Sequence, residues 1–276
     1  MSRLARWFEP EWAGGWTLCR WTYGLIALGF HLPRMQWRSD AYADHDLLYS
    51  RPPLHIPDWW ILTPTSAAVL WALGALSLLL IIWGGKLTKP ALLVWIISST
   101  ILVSHEGLNW KAYDRLHAWV GIAMLLGPTS ERHLQTKARS PVGRWMMLLI
   151  FCSLYGMTGV TKALQPGWWT GETLAYHLVD LHFGHQPLGI WLSGIPVATQ
   201  AMAVGTIAFE SLFPLAIFWR RTNPWLLAIG VLFHLSLTIL MNVGPFSIVT
   251  LCAYPVLLHP QVAHRLWQRH SRGEVT

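Results

Sequence analysis

The chain has little charge and almost no cysteine. Only 12% of its 276 residues are Asp, Glu, Lys or Arg, about half the share of an ordinary soluble domain, which argues against a polar surface on all sides. The three cysteines, Cys19, Cys152 and Cys252, each fall inside an apolar run without CxxC spacing. That excludes a disulfide framework and a cysteine zinc site, and leaves them as small packing residues. No GxSxG, phosphate loop, GxGxxG, HExxH or CxxCH occurs, so the common hydrolase, nucleotide and c-type haem readings fall away. Internal repeats are absent, and the only biased stretch is a short polar tail after His264. No cleavable leader is expected, because the first apolar run begins near Trp16 behind Arg3, Arg6, Glu9 and Glu11 with no small-residue cleavage pattern after it.

What is there is apolar: 53% hydrophobic residues, nineteen tryptophans and a positive mean hydropathy. Tryptophan is favoured where an apolar body ends at a wet interface, and the chain reads as a polytopic membrane protein. Apolar runs predict helices over 14–31, 66–84, 88–104, 116–129, 143–161, 197–219, 225–242 and 245–259. The fourth is short, and the turn Asn242-Val-Gly-Pro245 makes a tight hairpin of the last two.

The net charge of +7 is spread between apolar runs with no basic stripe, so nucleic acid is not an expected partner. Membrane orientation accounts for it better. With the N-terminus inside, the inner segments hold thirteen Lys and Arg and the outer ones six, with Arg20 inside the first span. Cytoplasmic loops carry the excess of positive charge, so the expectation is N-in, C-in. Two long connections then face the non-cytoplasmic side: 32–65, with Asp40, Asp44, His45, Asp46, His55 and Asp58, and 162–196, with Lys162, Glu172, His177, Asp180, His182 and His185.

An ionisable group at membrane depth costs roughly 2.5–3.5 kcal/mol, so each asks for a partner or a purpose. Arg20 lies a turn into the first span, where it can pair with a carboxylate such as Glu210 of the sixth or snorkel to the interface. His234 is mid-span, and Asn242, eight residues on, would share its face. That face suits a polar head group, or simply a hydrogen bond to a neighbouring helix. In HEGLNWKAYDRLH, the side chains of His105, Glu106, Asn109, Lys111, Asp114 and Arg115 make either a solvated loop or a rim at the mouth of a bundle. His177, Asp180, His182 and His185 do not follow a recognised metal signature, and no metal site is expected.

Lys162 is the sharpest case. It closes an apolar run in GVTKALQPGWWTGETL, one of only five lysines. Beside the indoles of Trp168 and Trp169, desolvation would favour the neutral amine, the form that acts as a base. Cation–π anchoring is the other use of the same arrangement.

Several pieces occur in order: Arg20 and Gly24 in the first span, AYADHDLLYSRPP, NWKAYDRL, GVTKALQPGWWTGETL, FESLFPLAIFWRR and FHLSLTILMNVGPFSIVTL. Together they resemble the horizontally transferred transmembrane (HTTM) domain, a family that includes the membrane part of vitamin K-dependent gamma-glutamyl carboxylase. The resemblance implies that Lys162 matches the base that deprotonates reduced vitamin K. It also implies menaquinol or a similar quinol, carbon dioxide and oxygen as cofactors, and a peptide or protein substrate on the non-cytoplasmic side. Lys111 stands where the carboxylase loop has a histidine.

The expectation is thus an all-α integral membrane bundle of about eight spans, one domain over 1–276 with a polar cytoplasmic tail at 262–276, in a bacterial inner membrane. Lys162 is its candidate base, and Arg20, His105, Asn109, Trp168, Glu210 and His234 are candidate substrate-binding residues around an outward cavity. The rival expectations are a non-enzymatic lipid- or quinone-binding protein that assists maturation of another protein, and a small-solute transporter. The lack of internal symmetry disfavours the transporter.

Overall fold

The computed structural model describes residues 11–33, 62–105, 112–130, 138–139, 141–181, 184–243 and 245–271. Helices stand at all eight expected places: α1 (Ala13–His31), α2 (Pro64–Trp83), α3 (Thr88–His105), α4 (Ala112–Leu126), α5 (Val142–Ala163), α9 (Pro196–Ala216), α10 (Asn223–Leu240) and α11 (Phe246–Leu257). Among the described residues four further helices are present: α6 (Pro166–Thr170), α7 (Glu172–Val179), α8 (Pro187–Ser193) and α12 (Pro260–Ser271). The tail expected to be merely polar is therefore helical through Ser271. A two-residue antiparallel ladder joins β1 (Glu11–Trp12) to β2 (Ala138–Arg139).

By length and composition, three described helices can cross a membrane: α2, α5 and α10. A fourth span results if α8 and α9, bent by 106° at their break, count as one. The helices α3 and α11 are apolar but shorter. The outward faces suit lipid: on α5, Leu149, Met157 and Val160 are exposed, and on α10, Ile229, Leu232 and Ile239.

Helix boundaries follow local chemistry. Thr63 and Ser66 form a reciprocal capping box in front of α2, with Pro64 in its first turn. Proline also opens α6, α8, α9 and α10, where its missing N–H costs nothing. The Pro166-Gly167 pair that reads as a turn in the sequence is accordingly the start of a helix.

The chain divides into two compact units, Met1–Arg144 and Trp145–Thr276. In the first, α1 packs on α2, α2 on α3 and α3 on α4. One end of this unit gathers the start of α1, the end of α2 and the end of α4. There the indole of Trp16 lies against Gly127, the amide of Gly85 donates to the carbonyl of Ser130 (3.0 Å), and β1 pairs with β2. Deeper in, the Tyr23 hydroxyl donates to the carbonyl of His117 and accepts from Trp95 Nε1, both at 2.8 Å. At the far end of α1, His31 stacks on Trp71.

In the second unit, α7 packs on α8 and α9, and α10 on α11. The predicted hairpin of the last two spans is present, but α10 ends at Leu240, and Met241 is extended at φ −138°, ψ 153°. Asn242 therefore lies beyond the helix and does not extend the His234 face.

Candidate functional site

The site in the second unit is built from two glycines and the side chains between them. On α5, a Cβ at Gly159 would lie 2.7 Å from the amide nitrogen of Ser211 and 2.9 Å from the carbonyl carbon of Glu210. Only glycine lets α9 come this close. Gly171, between α6 and α7, has φ +81°, and a Cβ there would run into the backbone of Thr199 and Gln200 near the start of α9. The two contacts lie eleven residues apart along α9, roughly 16 Å of helix, and they account physically for the Gly-x-x-Lys and Trp-x-x-Gly spacings.

Lys162 lies one turn beyond Gly159, on the same side of α5. Its Nζ donates to Glu210 Oε2 at 2.6 Å, with the lysine side chain 19% exposed and the glutamate side chain 8%. Glu210, whose purpose the sequence leaves open, thus has its partner in Lys162. The same amine sits 5.1 Å from the centre of the Trp168 ring, itself nearly buried among Leu174, Leu178, Ala203, Ile207 and Leu240. The two indoles do different work: Trp169 turns outward and donates Nε1 to the carbonyl of Ala163 at 2.8 Å, closing the end of α5. Pro214, four residues after Glu210 in α9, has no N–H, which deprives the Glu210 carbonyl of its helical donor.

Two turns earlier on the same side of α5 is Tyr155. Its hydroxyl lies 2.6 Å from Nε2 of His234 and 3.0 Å from the hydroxyl of Tyr254, and its ring packs on Phe209 and Phe213. His234 is fully buried and its Nδ1 has no hydrogen-bond partner among the described residues. The histidine therefore serves as a link between helices, the commoner of the two uses the sequence allows. Tyr155 and Tyr254 escaped sequence reasoning, although the i, i+7 spacing of Tyr155 from Lys162 was a signal.

The remaining predicted site residues belong to the first unit or lie outside the described residues. Arg20 is fully buried in the first unit. Its guanidinium donates to the carbonyls of Ile81 (2.5 Å) and Ile82, the last turn of α2, and lies close to Gly84. A cation over free C-terminal carbonyls is favourable, so these backbone oxygens are partners of Arg20 besides the carboxylate or the interface that the sequence allows. His105 is described only as the last residue of α3, and Asn109 lies outside the described residues, as do Glu106, Lys111, His182 and the acidic residues of 34–61. His177 packs on Trp168, and among the described residues no three His, Cys, Asp or Glu side chains are grouped to hold a metal ion.

The first unit has a cavity of its own, about 230 Å³, whose walls include Phe30, His31, Trp95, Tyr113, His117 and Trp119. Aliphatic and small side chains, Asp114 and Arg115 complete the wall.

The chain matches none of the curated proteins, and none of the solved structures. A family model does match it, the HTTM domain, over residues 54–261. That span takes in the whole Gly159 to Glu210 arrangement of the second unit, and the part of the first unit's cavity wall that runs from Trp95 to Ile122. Apolar helices, the glycine-spaced lysine and this match agree, and the chain belongs to the HTTM family of membrane proteins.

Proposed function

We propose that the chain is a quinol-dependent membrane enzyme of the carboxylase-like kind, in which Lys162 is the base and Glu210 its proton partner. The observation that carries this reading is the 2.6 Å contact between Nζ and Oε2 against the face of Trp168. A lysine at a span end that only anchored the helix would snorkel away from apolar surroundings. This one is turned toward a carboxylate and an indole, and remains partly reachable.

The residues fit a quinol: a reachable amine, an apolar aromatic wall and a less exposed carboxylate behind. A bound quinol would supply the reducing electrons and the acidic hydroxyl. The pair as found is net neutral and can take up one proton. Nζ gives its shared proton to Oε2 and receives another from outside, leaving an ammonium beside a carboxylic acid. Carbon dioxide, oxygen and a peptide or protein acceptor enter the proposal through the likeness to the carboxylase.

The same reading sets the chain in a bacterial inner membrane as one domain of eight spans, N-in and C-in, with 262–276 as a cytoplasmic tail. The ladder between β1 and β2 supports the first half of that topology. It holds residues 11–12 beside 138–139, as expected if both lie on one side of the membrane with an even number of crossings between them.

A second reading, a lipid- or quinone-binding protein without chemistry, is favoured by the cavity of the first unit, which has six rings in its wall, since stacking needs no base. The two readings separate on Lys162→Arg, which keeps the charge and the ion pair but has no accessible base form. In lipid nanodiscs under oxygen, the enzyme reading expects quinol consumption by the wild type and none by the variant. Quinol binding without turnover by both would support the binding protein instead.

A further inference from the structure

We propose that a basic groove in the second unit holds an anionic phospholipid by its phosphate. The groove, about 330 Å³, is lined by Arg220, Arg221 and Pro224 from the turn after α9 and the start of α10, and by Val262, Arg265 and Leu266 of α12. Three guanidinium groups thus surround an apolar floor, the combination a phosphate head with an acyl stem requires. A soluble anion would have no use for the floor.

The arginines are held open for a ligand. Arg220 Nη1 donates to Gln261 Oε1 (3.0 Å) and Arg265 Nε to the carbonyl of Gln261 (3.2 Å), so one glutamine sets the spacing of two of them. No carboxylate among the described residues pairs with any of the three. The support beneath is rigid. Asn223, fully buried, donates to the carbonyls of Ile217 and Leu257 and accepts from the amide of His259, tying together the ends of α9 and α11 and the starts of α10 and α12. The first turn of the eighteen-residue α10 opens beside the groove and adds its positive dipole end.

The level is also right. Trp219 and Trp225, on either side of the arginine turn, are 62% and 74% exposed, and tryptophan marks the headgroup layer. Arginine forks bind phosphate oxygens two at a time, and clusters of basic residues beside a span are the usual means of holding anionic lipid.

The test is native mass spectrometry of the full chain released from nanodiscs of mixed phosphatidylcholine and phosphatidylglycerol. The wild type is expected to retain phosphatidylglycerol in preference. Arg220→Gln, Arg221→Gln and Arg265→Gln together should abolish the preference, at about fivefold in affinity per arginine removed. Arg221→Gln alone, which breaks no bond among the described residues, should lose about fivefold and guards against a triple variant that fails to fold. Unchanged preference in Arg221→Gln overturns the proposal. So does equal stabilisation of the detergent-solubilised protein by inorganic phosphate and by phosphatidylglycerol, which would make the groove a site for soluble anions.

Discussion

The same substitution is expected to act in opposite directions at two glycines. Gly159→Ala drives a methyl group into the backbone of Ser211, and overpacking of this kind costs about 1–3 kcal/mol. Gly205, in α9, has nothing within 4 Å of an added Cβ, so Gly205→Ala should stabilise by up to about 1 kcal/mol through helix propensity. Thermal unfolding in detergent checks both, and a loss at Gly205 or none at Gly159 would remove the close approach from the account. Arg20→Met should cost about 1.5–3 kcal/mol, the worth of hydrogen bonds from a charged donor, by uncapping α2. The sequence marked Arg20 as needing a partner, a carboxylate or the interface, but gave no sign of these carbonyls, because backbone oxygens freed at a helix end leave no residue-type signal.

Among the helices, α5 carries most of the argument. Its inward side presents Tyr155, Gly159 and Lys162 to three neighbours, while Leu149, Met157 and Val160 face outward. Tyr155→Phe should destabilise by about 1–3 kcal/mol, since it leaves the buried Nε2 of His234 unpaired. Tyr254→Phe keeps the bond between Tyr155 and His234 and should cost less. Denaturant unfolding of the two variants gives the order, and the reverse order would break the assigned network. The long apolar helices were legible because hydropathy alone sets their length. The short helices α6, α7 and α8 were not, because Pro166, Gly171 and Pro187 read as turn residues and only packing against α9 shows that they punctuate helices. Asn242 was misplaced for the converse reason: apolar periodicity continued past Leu240, where the backbone had already turned.

For the molecule as a whole, the charge pattern and the β1 and β2 ladder make a claim about sides. Lys86 lies in the turn between α2 and α3, and Leu181, 80% exposed, follows α7. In the proposed topology, Lys86→Cys reacts with a membrane-impermeant maleimide only after permeabilisation, and Leu181→Cys reacts in intact cells. Labelling of both from outside would reverse or break the arrangement. The family was legible because its motifs are spacings that the fold uses, as at Gly159 and Lys162. Of the expected site residues, Lys162, Trp168 and Glu210 come together in the second unit, and the sequence did not show it, since a depth along the chain does not say which neighbour a side chain finds.

The central claim is that the Lys162 and Glu210 pair moves a proton and does not merely hold two helices together. Replacing a buried ion pair by apolar side chains of similar volume is often neutral or stabilising, whereas removing one partner costs about 3–5 kcal/mol. The decisive measurement is therefore quinol turnover in nanodiscs by Lys162→Met combined with Glu210→Met, with unfolding followed on the same sample. The account predicts a protein as stable as the wild type that consumes no quinol. A stable double variant that still turns over quinol would contradict it.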